Sequence, residues 1–497
     1  MKVPGLAALM ACMLLLAGPA MAASAEAGAQ PQWSSDEVRA ARETGPRSAL
    51  MFDVRTEVKS ATGAVTSSTE HVTLTSDYQS IVGDKITALN DFALCRVYAW
   101  TDAKPSLHSD SCYAEPAFLV FEIANRAYLA GMMKAVVKGS ADAKPIDSDP
   151  YWAEAELGIQ QQQIDRLKVR HDASGDQYLL GDRVVVRVGG PAGQLSDAEA
   201  SWVTRFFAHR APVHPQVRAR IRTDHVLPAQ VLTVLAAPRN TETTYIFSNL
   251  HRGMAAYPMP AGLRSDLGNG GQTPEATGQA AFVAAMGARF SPGKLSAGAL
   301  LDGIKSNVAG GRNLEALMLF FDYTQQYSAE LNGSDRQAIV TALRAALPTV
   351  LKDPAAAAFW NASSLAAGPQ VQGDRVAALH YLAGAKQLDA LPFGTFRYVT
   401  YANLIRVSGA AIKPADLAAN RLTDSLPDAY WIHIAAYPWA SNAYKDLGDT
   451  YLTGFDTPKA WEAYDMGRAI DPEWRTGVMA NVPKLESQIR AAAPDFF

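Results

Sequence analysis

Ser441 to Trp474 reads SNAYKDLGDTYLTGFDTPKAWEAYDMGRAIDPEW, and its spacing decides how the C-terminal half of the 497-residue chain is read. Tyr444, Leu447, Gly448 and Tyr451 recur at the interval of one helical face, as do Ala460, Tyr464 and Gly467. That spacing predicts two short amphipathic helices packed as a hairpin. Gly448 and Ala460 permit close backbone approach, Tyr451 and Tyr464 fill the space between helices, and Pro472 closes the unit, since a proline cannot continue the helix.

These anchors resemble a tetratricopeptide repeat, a helix–turn–helix unit of about 34 residues. The resemblance departs at Tyr444, where the family carries Trp, and at Gly467, where it carries Ala. Farther upstream, over about 357–390, Ala377, Tyr381 and Gly384 repeat the spacing of Ala460, Tyr464 and Gly467, with Trp360 in the preceding helix. A lone hairpin cannot bury its apolar face, so neighbouring hairpins are physically required. The resemblance implies a helical scaffold that binds a protein or peptide partner. Candidate contacts on it are Trp431, Trp439, Asp446 and Asp449; an inert wet face is the first reading of the Asp446–Asp449 pair, a surface gripping a partner's cationic groups the second, and acid–base catalysis the weakest.

The upstream half has a different period. SALMFDVRTEV from Ser48, STEHVTLTSD and TALNDFALCRVYAWT alternate apolar and polar residues between Gly and Asp turns, the pattern of an antiparallel meander with one wet face. FLVFEIANRAYLAGMMKAVVKG from Phe118 is long enough for a covering helix, and Pro150 opens another. RLKVRHD, QYLL and RVVVRVGG read as hairpin strands. Ser196 and Glu199 form a capping box before an amphipathic helix. VRARIRT, AQVLTVLAA and ETTYIFSNL return to strand. Beyond a Gly- and Pro-rich stretch at 252–276 the periodicity is helical throughout. The expected fold is therefore an α+β antiparallel-sheet domain at 46–251, a linker at 252–276 and an all-α, tetratricopeptide-like domain at 277–497.

The N-terminus, MKVPGLAALMACMLLLAGPAMAASAEA, has one Lys, an apolar run and a small-x-small site. It reads as a signal peptide over 1–22 cleaved after Ala22, followed by a flexible leader at 23–45. Cys12 invites a lipoprotein reading, but most of the apolar run lies downstream of it. No later segment reaches roughly eighteen consecutive apolar residues, so no transmembrane segment is expected. The expected location is periplasmic or secreted. In that oxidising setting Cys95 and Cys112 read as a disulfide, with two buried thiols as the alternative; no CxxC supports a metal pair.

A net charge of −4 gives no basic face for nucleic acid, and 48% hydrophobic residues with 19% charged ones mark a globular chain. No nucleophile elbow, phosphate loop or zinc-protease helix is present. Leu267-Gly268-Asn269-Gly270-Gly271 lacks the preceding strand and the Lys of a phosphate cradle. His209, His214, His225 and Asp224 carry zinc-ligand chemistry, but Pro212, Pro215 and Arg205, Arg210, Arg218, Arg220 and Arg222 oppose a cation, and a solvated basic strand is the expectation. RARIRTDH is also weighed as an anionic-ligand patch. No catalytic, cofactor or metal residue is assigned. The function expected is a protein- or peptide-binding scaffold, and the alternatives are an envelope hydrolase with an unrecognised site or a carrier of lipid or another hydrophobic ligand in the sheet.

Overall fold

The computed structural model describes residues 33–42, 45–101, 103–137, 167–173, 175–211, 213–235, 241–267, 272–288, 297–317, 319–320, 333–354, 356–357, 425–436, 438–472 and 481–497. The signal peptide, the helix opened by Pro150, the run Gly268–Gly271 and, beyond its first residue, the second repeat at about 357–390 lie outside the described residues. The chain divides into two compact units. The first comprises Met1–Asp266, Phe455–Glu462 and Ala480–Phe497; the second comprises Leu267–Gly454 and Ala463–Met479.

The first unit is α+β. Strands β1 (Arg47–Lys59), β2 (Val65–Leu74), β3 (Tyr78–Val82), β4 (Thr87–Asp91), β5 (Arg96–Thr101) and β6 (Lys104–Ser111) form the meander. Strands β7 (Lys168–Asp172), β8 (Gly175–Leu180), β9 (Arg183–Val188), β12 (Gln230–Leu235), β13 (Thr241–Ala255) and β14 (Arg264–Ser265) extend it, in the order β14-β6-β5-β4-β3-β2-β1-β13-β12-β9-β8-β7. Strand pairing is antiparallel except between β14 and β6, so the sheet is mixed. A separate ribbon pairs β10 (Pro191–Gln194) with β11 (Val226–Pro228). Strand β13 runs four residues into the Gly- and Pro-rich stretch at 252–276, ending at Ala255.

Alternation decides which face of each strand is buried. On β1, Leu50, Phe52, Val54 and Thr56 turn inward while Asp53, Arg55 and Glu57 turn outward. The inward set joins Val72, Leu74, Tyr245 and Phe247 under helices α3 (Asp197–Arg210) and α4 (Pro215–Asp224). Phe206 of α3 sits 5.5 Å, ring centroid to centroid, from Phe52, and Phe207 sits 5.6 Å from Phe247. Leu74 pairs with Gln79, so Tyr78 belongs to the opposite face. A second core forms there from Tyr78, Leu89, Tyr98, Trp100 and Leu107. One twisted sheet thus changes its buried face between β2 and β3.

Helix α1 (Ser35–Ala41) closes that second core. Its N-cap, Ser34, accepts from the Glu37 amide at 3.2 Å, and Val38 is fully buried among Tyr78, Leu89 and Tyr257. Residues 33–42 therefore differ from the flexible leader expected at 23–45: one inserted valine and the Arg42 ion pairs tie them down. The capping box of α3 is present, with the Ser196 hydroxyl accepting from the Glu199 amide and the Glu199 carboxylate accepting from the Ser196 amide. Helix α2 (Ala114–Val137) starts directly after Cys112, whose disulfide to Cys95 lies just beyond the Arg96–Ser111 pair and fastens the β5–β6 hairpin.

The stretch Val217–Thr223 was expected as a strand and is a helix. Arg218, Arg220 and Arg222 mimic period two, but Pro215 occupies the first turn and the His214 Nδ1 accepts from the Gln216 amide at 3.1 Å. An N-terminal cap and a proline pre-set for helical φ outweigh the alternation.

The described residues of the second unit are helical. They include α5 (Pro274–Gly287), α6 (Ala297–Ala309), α7 (Gly333–Val350), α8 (Leu426–Ala436) and α9 (Ser441–Thr453). Helix α10 (Thr457–Ile470) follows α9 through Gly454, and α11 (Asn481–Ala492) with a 3-10 turn at Pro494–Phe496 belongs to the first unit. No helix among the described residues is long and apolar enough to cross a membrane.

Candidate functional site

On α9 and α10 the aromatic anchors are spent on packing. Tyr444, Leu447, Gly448, Ala460, Tyr464 and Gly467 are buried, Tyr451 is half-buried, and Pro472 is exposed after α10. The Tyr444 hydroxyl donates to the Pro438 carbonyl at 2.6 Å, and its ring meets Phe282 of α5 edge-on at 5.8 Å. Full burial pushes the Tyr444 phenol well above its ordinary range. Trp431 is buried against Gly278, and its indole N–H donates to the Tyr451 hydroxyl at 2.8 Å. Its ring is thus interhelix core. Trp439 and Asp446 are half-buried. The Asp449 side chain is 40% exposed; it accepts from the Tyr464 hydroxyl at 2.8 Å and pairs with Lys445. This leaves a carboxylate in a fixed orientation on a helix whose opposite face is locked.

His209, His214 and His225 occupy separate structural posts. His214 caps α4 and is fully buried, and burial, with Arg218 adding repulsion, pushes its imidazole down to about 4. His225 ends α4 in a left-handed conformation, φ 55°, and faces Asp197 at 3.3 Å. His209 Nδ1 lies 2.9 Å from a Glu115 carboxylate oxygen, and its Nε2–H donates to the Phe496 carbonyl at 3.0 Å. The basic residues of the same stretch are likewise engaged: Arg210 chelates Glu70, Arg220 pairs with Asp224, and Arg218 and Arg222 both reach Asp495. Among the described residues no group of three or more His, Cys, Asp or Glu is placed to hold a metal ion.

Sequence reasoning missed two polar clusters. The first lies on the outward face of β1, β2 and β13. Met51 pairs with His251 and Asp53 with Ser248, so two residues of β13, Asn249 and Leu250, oppose Phe52 alone. This β-bulge puts Asn249 at φ 56°, a conformation asparagine tolerates better than most. The bulge aims the Asn249 amide at Asp53, which also accepts from His71 at 2.5 Å. The hydrogen bond from Asn249, then that from His71, holds the Asp53 carboxyl below its usual range. The arrangement supplies an ionised carboxylate orienting an exposed imidazole. A signal for it existed in the opposite polar residues of β1 and β2, but the bulge that brings Asn249 in is invisible without the register.

The second cluster is buried. Asp91 is shielded completely, with the Tyr257 hydroxyl donating to it at 2.5 Å, the Leu94 amide at 2.8 Å, and Arg42 paired at 3.0 Å. Burial still pushes its carboxyl up. Arg42 also reaches Asp77 and lies 5.1 Å from the Tyr257 ring centroid. The network joins α1, β4 and the segment after β13, and its arrangement is that of a structural tie.

No known family model matches this chain, and no curated protein sequence matches it.

Proposed function

We propose that this is an exported protein, periplasmic or secreted, whose tetratricopeptide-like helical unit binds a protein or peptide partner as a scaffold. The observation that carries the reading is the fixed Asp449. Tyr464 and Lys445 hold its carboxylate while the anchors behind it, Tyr444 and Leu447, are fully buried. A surface ordered before binding loses little conformational entropy when a partner docks. Asp446 and Trp439, half-buried nearby in sequence, extend that surface, and a cationic or hydrogen-bond-donating segment is the partner chemistry it suits. The mechanism is passive recognition, with no bond made or broken.

The test is affinity capture from bacterial envelope extract with the full chain as bait, beside variants Asp449→Lys and Asp446→Lys. Both substitutions lie at positions with solvent access and preserve helix formers. A partner retained by the wild type at low salt and lost with both variants, whose helicity by circular dichroism is unchanged, supports the reading. Capture that is indifferent to both charge reversals refutes a groove at α9.

A further inference from the structure

Residues 493–497 are held in the sheet unit the way a bound peptide is held. Asp495 is gripped by two guanidinium groups: Arg218 Nε donates to one carboxylate oxygen at 3.1 Å, and Arg222 to the other at 2.9 Å. Arg218 is only 3% exposed and is further fixed by donating to the Val213 carbonyl at 2.8 Å. The Phe496 backbone carbonyl is captured by the His209 Nε2–H, and the Phe496 ring meets the His209 imidazole edge-on at 4.9 Å. That ring is buried with Ala208 and Ala493, against which Leu119 and Val120 pack. Phe497 lies over Tyr113 at 5.2 Å with the Arg490 guanidinium 4.3 Å from its ring centroid. Charge clamp, carbonyl donor and aromatic pocket are thus supplied separately by α4, α3 and α2 to one short segment after Pro494.

We propose that this surface is a recognition site for an acidic–aromatic peptide, Asp followed by Phe, which the chain's own Asp495–Phe496 occupies. A buried arginine has left bulk water at a desolvation cost and is stabilised by an anion in reach of its fork. The site therefore selects a carboxylate at one position and an aromatic ring at the next. The segment in place acts as a competitor tethered at high effective concentration, so an external peptide of the same chemistry binds once that segment is weakened. This inference concerns the sheet unit and stands apart from the helical scaffold.

The experiment is fluorescence anisotropy with labelled Ala-Ala-Pro-Asp-Phe-Phe, titrated with the full-length chain and with the double variant Asp495→Ala/Phe496→Ala. A control peptide carries Asn for Asp. The variant is expected to bind the Asp peptide at least about tenfold more tightly than the wild type does, and about tenfold more tightly than it binds the Asn peptide. A folded variant that binds neither peptide, or both equally, overturns the proposal. If the double variant does not fold, the wild type decides the matter by hydrogen exchange. The amides of Phe496 and Phe497, bonded to the Ala493 and Pro494 carbonyls, are expected to exchange faster in excess Asp peptide and not in excess Asn peptide. Unchanged exchange in millimolar Asp peptide overturns it equally.

Discussion

His214 sets a pH limit on the sheet unit. In the fold its Nδ1 accepts the Gln216 amide at the start of α4, so that nitrogen keeps its lone pair and the proton sits on Nε2. Protonating Nδ1 removes the cap and places a cation in a fully buried position beside Arg218; burial is the larger cause of its depressed value, about 4 against 6.5 for the free imidazole. For a base depressed in the fold, the stabilising contribution is complete above pH 6.5. It declines as pH falls, because the unfolded chain takes up a proton that the native chain refuses, and the decline levels off below about 4. The loss amounts to about 1.4 kcal/mol per pH unit, reaching roughly 2.5 kcal/mol by pH 4.5. His214→Asn isolates it. Asparagine offers the cap an oxygen acceptor and does not titrate. Urea unfolding, followed by circular dichroism at pH 7.0, 5.5 and 4.5, is expected to show the wild type losing about 2.5 kcal/mol more than the variant across that range. The other titrating pairs are common to both proteins and cancel in the difference. Parallel profiles, within about 0.5 kcal/mol, would refute the assignment of His214 as a neutral cap.

Three further outcomes follow from other contacts. Gly278→Ala places a methyl group against the Trp431 ring and within 3.1 Å of its carbonyl, and is expected to destabilise the second unit by about 1–3 kcal/mol, measured by thermal unfolding. Cys112→Ser opens a loop of sequence separation 17 and is expected to remove about 3 kcal/mol, with dithiothreitol lowering the wild type to the variant's midpoint. His108 is raised to about 10, first by its hydrogen bond to Asp110 and then by that to Asp266. Its contribution is complete below pH 6.5 and is lost as pH rises through about 10. Because the side chain is 56% exposed, the effect is salt-sensitive, and the difference between wild type and His108→Asn at pH 6.0 and 9.5 is expected to shrink in 1 M salt. An NMR titration placing the His108 ring near its ordinary value contradicts it.

Much of the sheet unit was legible in local pattern. The alternation Leu50, Phe52, Val54 and the Ser196–Glu199 box each report an interaction between residues close in sequence, and each is present. Arg218 was misread because its neighbours alternate, although the His214-Pro215 start carried the helix signal. Trp431 stands in the sequence as a candidate partner contact; the packed structure instead puts Gly278 beneath its ring and Tyr451 at its indole, which spends the ring on interhelix core.

By itself, then, the sequence determined most of the element types, the Ser196–Glu199 capping box, the change from sheet to helix along the described residues and the pairing of Cys95 with Cys112. Tertiary structure decided which face of each strand is covered, so that the buried side switches between Leu74 and Tyr78. It also decided that Asp495 meets Arg218 across a separation of 277 residues, and that the bulge at Asn249 turns its amide onto Asp53. The physical reason is one of range. Capping and periodicity act within a few residues, whereas desolvation and charge pairing depend on which distant surfaces close over them.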